Sequence, residues 1–169
     1  MLPDPLQPAM VHLPIALAIL IPAFAILGIG LISKEILPPR SWSLIVLLQA
    51  LLVGFGWLAI ETGEDQADRV ERVVAEQHIE AHEEAAERFL ILAGIGLLVN
   101  AAGLLPRRNG SMGRIAGTLA SIVVLAASVS VGRLGGELVY EHGAANAYIG
   151  KAGTAGSASL DRHFEDDDD

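Results

Sequence analysis

Four long runs of the sequence contain no charged residue, and they constrain the fold more than any other feature. They are Leu13–Ile32, Trp42–Ile60, Phe89–Leu105 and Ile115–Gly132, with 20, 19, 17 and 18 residues. Because a helix rises about 1.5 Å per residue, roughly 20 residues cross the ~30 Å hydrocarbon core of a bilayer. We therefore predict an all-α fold, a four-helix transmembrane bundle in which flanking turns complete the shorter runs. Buried helical hairpins of a soluble protein are the alternative, which four runs of near-bilayer length disfavour.

The composition supports a single membrane domain and excludes several kinds of site. The 169 residues are 52% hydrophobic and 18% charged, with a mean hydropathy of +0.49. The absence of cysteine excludes disulfides, thiolate metal sites, iron–sulfur clusters and covalently attached haem. The net charge of −9 argues against a nucleic-acid partner, which would need a basic face.

The charges between the runs predict the orientation in the bilayer. Two short connections, residues 33–41 and 106–114, carry five basic residues against one acidic residue. The long connection Glu61–Arg88 carries ten acidic residues and three basic ones. Because basic residues in short loops mark the cytoplasmic side, we expect both termini and the long loop on the outer side. In a bacterial inner membrane that side is the periplasm.

The long connection has the pattern of an amphipathic helix before the third span. Its stripe recurs at three- and four-residue spacing through Val70, Val74, His78, Ala81, His82, Ala85 and Phe89. Gly63 and the polar residues after it are expected to separate this helix from the second span. We place the membrane domain at residues 1–145 and a flexible, Gly/Ala/Ser-rich acidic tail at residues 146–169, because such a tail cannot bury a core.

The predicted topology places all five histidines on the outer side. His78 and His82 are one helical turn apart on the stripe, a spacing at which two imidazoles can chelate one transition metal. His12 opens the first span and His142 follows the fourth, whereas His163 lies in the tail and is not expected to be a ligand. Neutral imidazole binds zinc, copper or haem iron. Histidine at a membrane interface is also commonly a plain amphipathic anchor, so both interpretations stay open.

Small and amide residues inside the runs give a second signal. Glycines lie at one depth on three predicted spans: Gly54, Gly56, Gly94, Gly96, Gly132, Gly135 and Gly136. They leave room for a flat cofactor or permit close helix packing, and packing is the expected role of Gly113, Gly117 and Ser121. Gln49 and Asn100 are the only amides in the runs, and we expect them to form hydrogen bonds between helices.

Two segments resemble the recurrent motifs of one family. Val11–Leu17 reads VHLPIAL and Gly135–Gly143 reads GGELVYEHG. They are similar to the VHFPIAL and GG-x-L-V-Y-x-H-G motifs of the predicted membrane proteins called DUF2231, with Leu13 in place of Phe, and His82 is similar to a third recurrent histidine. The resemblance covers roughly residues 5–145 and implies a four-span fold. The family has no assigned function, but its members occur beside Rieske and cytochrome c modules, which implies a redox role.

The leading hypothesis is a b-type haem protein that transfers electrons at the outer side. Histidines of different helices would ligate the iron, with His12 and His82 as the first choice and His142 and His78 as the second. Arg88 and Arg133 flank the same level and are expected to pair with the haem propionates. A cytochrome c, a Rieske-type protein or a larger membrane complex would be the redox partner.

Two other hypotheses stay open, and a catalytic one is disfavoured. The first is a non-haem copper, zinc or iron site drawn from His12, His78, His82, His142 and Glu83. The second is a structural subunit of a membrane complex that carries no cofactor. Enzyme catalysis is less expected, because the sequence has no nucleophile–base pairing, phosphate loop or zinc-protease motif.

Overall fold

The computed structural model of the protein describes residues 11–144, apart from the side chains of residues 64–69 and 107. All regular structure in this part of the chain is helical: α1 His12–Ser33, α2 Ser43–Val70, α3 Glu76–Ala102 and α4 Arg107–Tyr140, with a 3₁₀ turn Pro39–Trp42 before α2. All four helices are long and apolar enough to cross a membrane. The predicted four-helix transmembrane bundle is thus confirmed. The tail predicted at residues 146–169, with His163, lies outside the described residues.

Each helix packs against its neighbours in chain order, and α1 closes the ring by packing against α4. The interior is filled by small and aliphatic side chains, among them Ala18, Ile21, Leu52, Ala93 and Val124. Large apolar side chains cover the outside as well: Leu98 is 72% exposed and Ile26 is 59% exposed. An apolar exterior of this extent is stable in lipid and would associate in water.

Three of the four helices continue beyond the hydrocarbon core on one side. At about 1.5 Å per residue, the 22 residues of α1 extend roughly 33 Å and the 34 residues of α4 roughly 51 Å. For α2 and α3 the excess lies at the end where α1 begins and α4 ends, which we call the histidine end, whereas α4 extends beyond its charge-free run at both ends. There Val74, Ile79 and Ala144 form a second apolar cluster with Val70 and Leu138. The opposite end, with connections 34–42 and 103–106, is called the short-loop end.

Two details predicted for the long connection are wrong. Helix α2 runs through Gly63 to Val70 without a break, because one glycine inside a helix costs only about 1 kcal/mol. The chain turns at residues 71–75 instead, and α3 begins at Glu76. The predicted stripe is buried at Val74 and Phe89 but not at Ala81, which is exposed, while Ile79 is buried outside the predicted stripe.

Buried amides link the helices, as the sequence predicts. The Gln49 side-chain nitrogen on α2 donates to the Ala93 carbonyl of α3 at 3.0 Å. The Asn100 amide nitrogen on α3 lies 3.3 Å from the Ser121 hydroxyl and 3.4 Å from the Gly117 carbonyl, both on α4. Because lipid offers no competing hydrogen bonds, these contacts fix the register of three helices.

At the short-loop end the backbones of α3 and α4 are in contact. A methyl group at Gly113 would lie 2.5 Å from the carbonyl carbon and oxygen of Ala102. Beside it, the Arg114 guanidinium donates to the Gly103 carbonyl at 2.9 Å. The buried Trp42 indole covers Gly103 and donates to a backbone carbonyl of α3. The predicted close-packing role of Gly113 is confirmed.

Candidate functional site: the histidine end

His82 lies on α3, two turns before the charge-free part of that helix, and its ring rests on α4. A methyl group at Gly135 would lie 3.1 Å from Cε1 of His82 and 3.6 Å from its Nδ1. The imidazole therefore occupies the space that any larger residue at position 135 would need. Within the described part of the chain, the buried Nδ1 has no hydrogen-bond partner, whereas the ring as a whole interacts with the backbone of Val131 on α4. An unpaired buried nitrogen costs about 1–3 kcal/mol, which a ligand on that nitrogen would offset.

His78 and His142 form a stacked pair above His82. Their ring centroids are 3.8 Å apart, and the planes differ by 19°. The pair depends on the turn after α4, where Gly143 has a φ of 73° and Ala144 N–H donates to the Leu138 carbonyl at 2.9 Å. A positive φ is accessible to glycine at little steric cost, so Gly143 lets the chain turn back immediately after His142 and brings Ala144 against Val74 and Ile79.

The stacked pair and His82 make different contacts, which bears on metal binding. A metal ion lies in the plane of each imidazole that binds it, about 2.0–2.1 Å from the nitrogen for zinc. Two nearly parallel rings 3.8 Å apart share no such point, so His78 and His142 would have to turn to hold one ion. Among the described side chains of residues 11–144, no three His, Asp or Glu groups converge where they could hold a metal ion. A non-haem metal centre therefore stays a prediction that requires rearrangement.

The remaining predicted site residues lie at the same end but are less enclosed. His12 is the first residue of α1 and is exposed, and Glu83 is exposed on α3. Arg88 binds Glu84 at 2.7 Å and Arg133 binds Glu137 at 2.9 Å, each one helical turn along its own helix. Three of these four side chains are largely exposed and Glu137 is partly buried, so each pair contributes about 1 kcal/mol or less. An anionic ligand could therefore exchange with either carboxylate at little cost.

The glycines singled out in the sequence divide into two classes. Gly56, Gly96 and Gly135 are tightly packed, since a methyl group would lie 3.1–3.3 Å from Phe89, Gln49 and His82 respectively. Gly54, Gly94, Gly132 and Gly136 have no atom of the described chain within 4 Å of such a methyl group. Gly132 and Gly136 flank Gly135 on α4. The helix therefore presents open surface on either side of the His82 contact.

Sequence reasoning did not predict how the histidines pair. The i,i+4 spacing suggested that His78 and His82 act together, whereas His78 stacks on His142 and His82 packs on Gly135. Both contacts connect α3 to α4 or to the turn that follows it, and the His78–His142 contact lies beyond the end of α4 at Tyr140, where helical periodicity predicts nothing. One usable signal was the glycine pair Gly135-Gly136 six residues before His142, because it marks the face of α4 on which a ring can rest.

Comparison with known proteins agrees with this architecture. No curated protein and no solved structure matches the chain significantly. The profile of the family described as predicted membrane protein (DUF2231) matches residues 3–148. That match spans all four helices and both end motifs, VHLPIAL and GGELVYEHG. The chain is therefore a member of the DUF2231 family of predicted membrane proteins.

Proposed function

We propose that this protein binds a b-type haem at the histidine end of the bundle and transfers electrons there. The observation that carries the proposal is the buried Nδ1 of His82, which has no partner within the described residues. A site that holds an imidazole nitrogen away from water without a hydrogen bond favours occupation by a ligand atom such as iron. Bound haem would supply a one-electron carrier whose potential depends on its axial ligands.

The surroundings of His82 fit a flat cofactor. The open surface at Gly132 and Gly136 offers room for a porphyrin edge beside the imidazole. His82 would provide one axial ligand, and His12, on α1 at the same end, would provide the other. Arg88 and Arg133 would exchange their exposed carboxylate partners for the propionates. His78 and His142, which stack on each other, would close the site above the cofactor and are not needed as ligands.

The proposed location follows from the loop charges. The short-loop end carries the basic excess, so we assign it to the cytoplasm of a bacterial inner membrane. Both termini and the haem would then face the periplasm. A cytochrome c or a Rieske-type protein is the proposed electron partner, by analogy with the modules found beside such domains.

A second candidate function is a structural subunit without a cofactor. The stacked His78 and His142 favour it, because their contact joins the GGELVYEHG segment to the start of α3 without a bound group. The same segment buries Ala144 against Val74 and Ile79. In this case the histidines stabilise the packing of residues 141–144 against the start of α3, and the protein depends on other subunits for its role.

An absorption spectrum of the detergent-purified protein, before and after dithionite, separates the two functions. We expect a Soret band that shifts on reduction, with sharp visible bands typical of low-spin haem. His82→Ala and His12→Ala should each abolish the low-spin spectrum. His142→Ala should keep the spectrum and lower the thermal stability, because it removes only the stack.

A matched glycine pair tests whether the position of the His82 ring matters. Gly135→Ala would push the imidazole away and should shift the Soret band or the reduction potential, whereas Gly54→Ala, in open space on α2, should change neither. A flat visible spectrum after expression with haem supplied would refute the haem proposal. Elemental analysis would then distinguish a copper, zinc or iron protein from the cofactor-free subunit.

A further inference from the structure

A cleft of about 470 Å³ opens at the short-loop end, between the end of α1 and the start of α4. Its apolar wall is formed by Ile29, Ile32 and Ile115, and its polar rim includes Glu35, Ser111 and Arg114. Ile32 ends the charge-free run of α1, and Ile115 begins that of α4. The cleft therefore lies at the boundary between the hydrocarbon core and the headgroup layer.

Glu35 reaches the rim through an unusual backbone conformation. Its φ is 59°, in the left-handed region. Glu35 N–H donates to the Ile32 carbonyl and Ile36 N–H to the Leu31 carbonyl, both at 3.0 Å, which is the Schellman ending of a helix. Glycine is favoured at this position because a Cβ is crowded there. A charged residue held in this conformation at a cleft suggests a function for its carboxylate.

Arg114 supplies the opposite charge on the other side of the cleft. Its guanidinium is anchored by the 2.9 Å hydrogen bond to the Gly103 carbonyl. Because a guanidinium carries five N–H donors, an anchored one can still bind a phosphate. Ser111 lies one turn earlier on α4 and adds a hydroxyl. The two helix ends reinforce the pattern, since the N-terminal part of α4 favours an anion and the C-terminal end of α1 favours a cation.

We propose that this cleft binds the headgroup of a zwitterionic phospholipid with a primary ammonium group, such as phosphatidylethanolamine. The phosphate lies at Arg114 and Ser111, the ammonium at Glu35, and the acyl chains run along the isoleucines. An anionic headgroup would face repulsion from Glu35, and a choline headgroup has no N–H to donate to its carboxylate. This site is at the opposite end of the bundle from the proposed haem and does not depend on it.

Lipid binding to the full-length protein in detergent tests the assignment. The probes are phosphatidylethanolamine, phosphatidylcholine and phosphatidylglycerol with identical acyl chains, and the readouts are the dissociation constant by native mass spectrometry and the rise in Tm. We expect phosphatidylethanolamine to bind about fivefold more tightly than phosphatidylcholine, the scale of an exposed ion pair. Arg114→Gln should weaken the binding of both lipids.

Glu35→Gln is the decisive variant, because it keeps the size and backbone conformation of the residue while removing its charge. It should abolish the preference for ethanolamine over choline, whereas Lys34→Gln, the neighbouring charge outside the cleft lining, should preserve it. Equal affinity of the wild-type protein for the two lipids, tighter binding of phosphatidylglycerol, or an unchanged preference in Glu35→Gln would each overturn the proposal.

Discussion

Replacement of Gly113 by alanine tests the backbone contact between α3 and α4. The added methyl group would lie 2.5 Å from the Ala102 carbonyl and 2.6 Å from the Gly103 nitrogen. All of these are backbone atoms, which cannot rotate out of the way. Helix α4 would therefore have to move away from α3 until the new methyl group no longer overlaps these backbone atoms. The Arg114–Gly103 hydrogen bond would lengthen as a result.

The expected loss of stability follows from three contributions. Overpacking costs up to about 3 kcal/mol when the neighbours are rigid. A weakened hydrogen bond from a charged donor adds about 1.5 kcal/mol, and the better helix propensity of alanine recovers about 1 kcal/mol. We therefore expect Gly113→Ala to lower the free energy of unfolding by up to about 3.5 kcal/mol.

Unfolding by SDS in mixed micelles measures this change. Trp42 is buried and contacts Gly103, so its fluorescence in a Trp57→Phe background reports on the short-loop end. Gly132→Ala is the matched control, because no described atom lies within 4 Å of its added methyl group. It should be neutral or stabilising by up to about 1 kcal/mol. If Gly113→Ala proves as stable as Gly132→Ala, the inferred backbone contact is wrong.

Two further predictions concern a pair of buried amides and the end of α1. Gln49→Leu removes the 3.0 Å hydrogen bond to Ala93 together with a buried oxygen that has no partner among the described residues. The two effects largely offset, so the free energy of unfolding should change by less than about 1 kcal/mol. Asn100→Leu likewise removes such an oxygen, but it breaks two contacts with α4 and places a larger side chain against Gly117, so it should cost more than about 2 kcal/mol; equal losses in SDS unfolding would contradict this contrast. Glu35→Gly should stabilise the lipid-free protein by about 1 kcal/mol, and a lower Tm would contradict its left-handed conformation.

The sequence predicted the membrane fold because its signals are local and strong. Runs without charge exclude most alternatives, and Gln49 and Asn100 stand out within them as interhelical contacts. The same locality explains the errors. Nothing adjacent to Gly63 shows that α2 continues past it, because Val70 and the turn that follows are stabilised by packing against Ile79 of α3 and Ala144 in the turn after α4.

The contacts between the histidines and α4 could not be predicted from the sequence. Periodicity places His78 and His82 on one stripe, but side-chain pairing depends on the rotation of α3 against α4. That rotation is set by contacts distant in sequence, such as Gly113 against Ala102 and His82 against Gly135. Trp42 was read only as the start of a span, although the two prolines before it mark the turn that directs its indole into the bundle.

Because of the backbone contact at Gly113, the two ends of the α3–α4 pair respond differently to a change in the angle between the helices. Gly113 and Gly135 are 22 positions apart on α4, which corresponds to roughly 33 Å along the helix axis. At Gly113 the two helices touch without intervening side chains, whereas at Gly135 the flat ring of His82 keeps them apart. A rotation of α4 by about 5° about the Gly113 contact would move Gly135 by roughly 3 Å relative to α3. A small change in the angle between α3 and α4 would therefore change the distance between the two helices most at the histidine end.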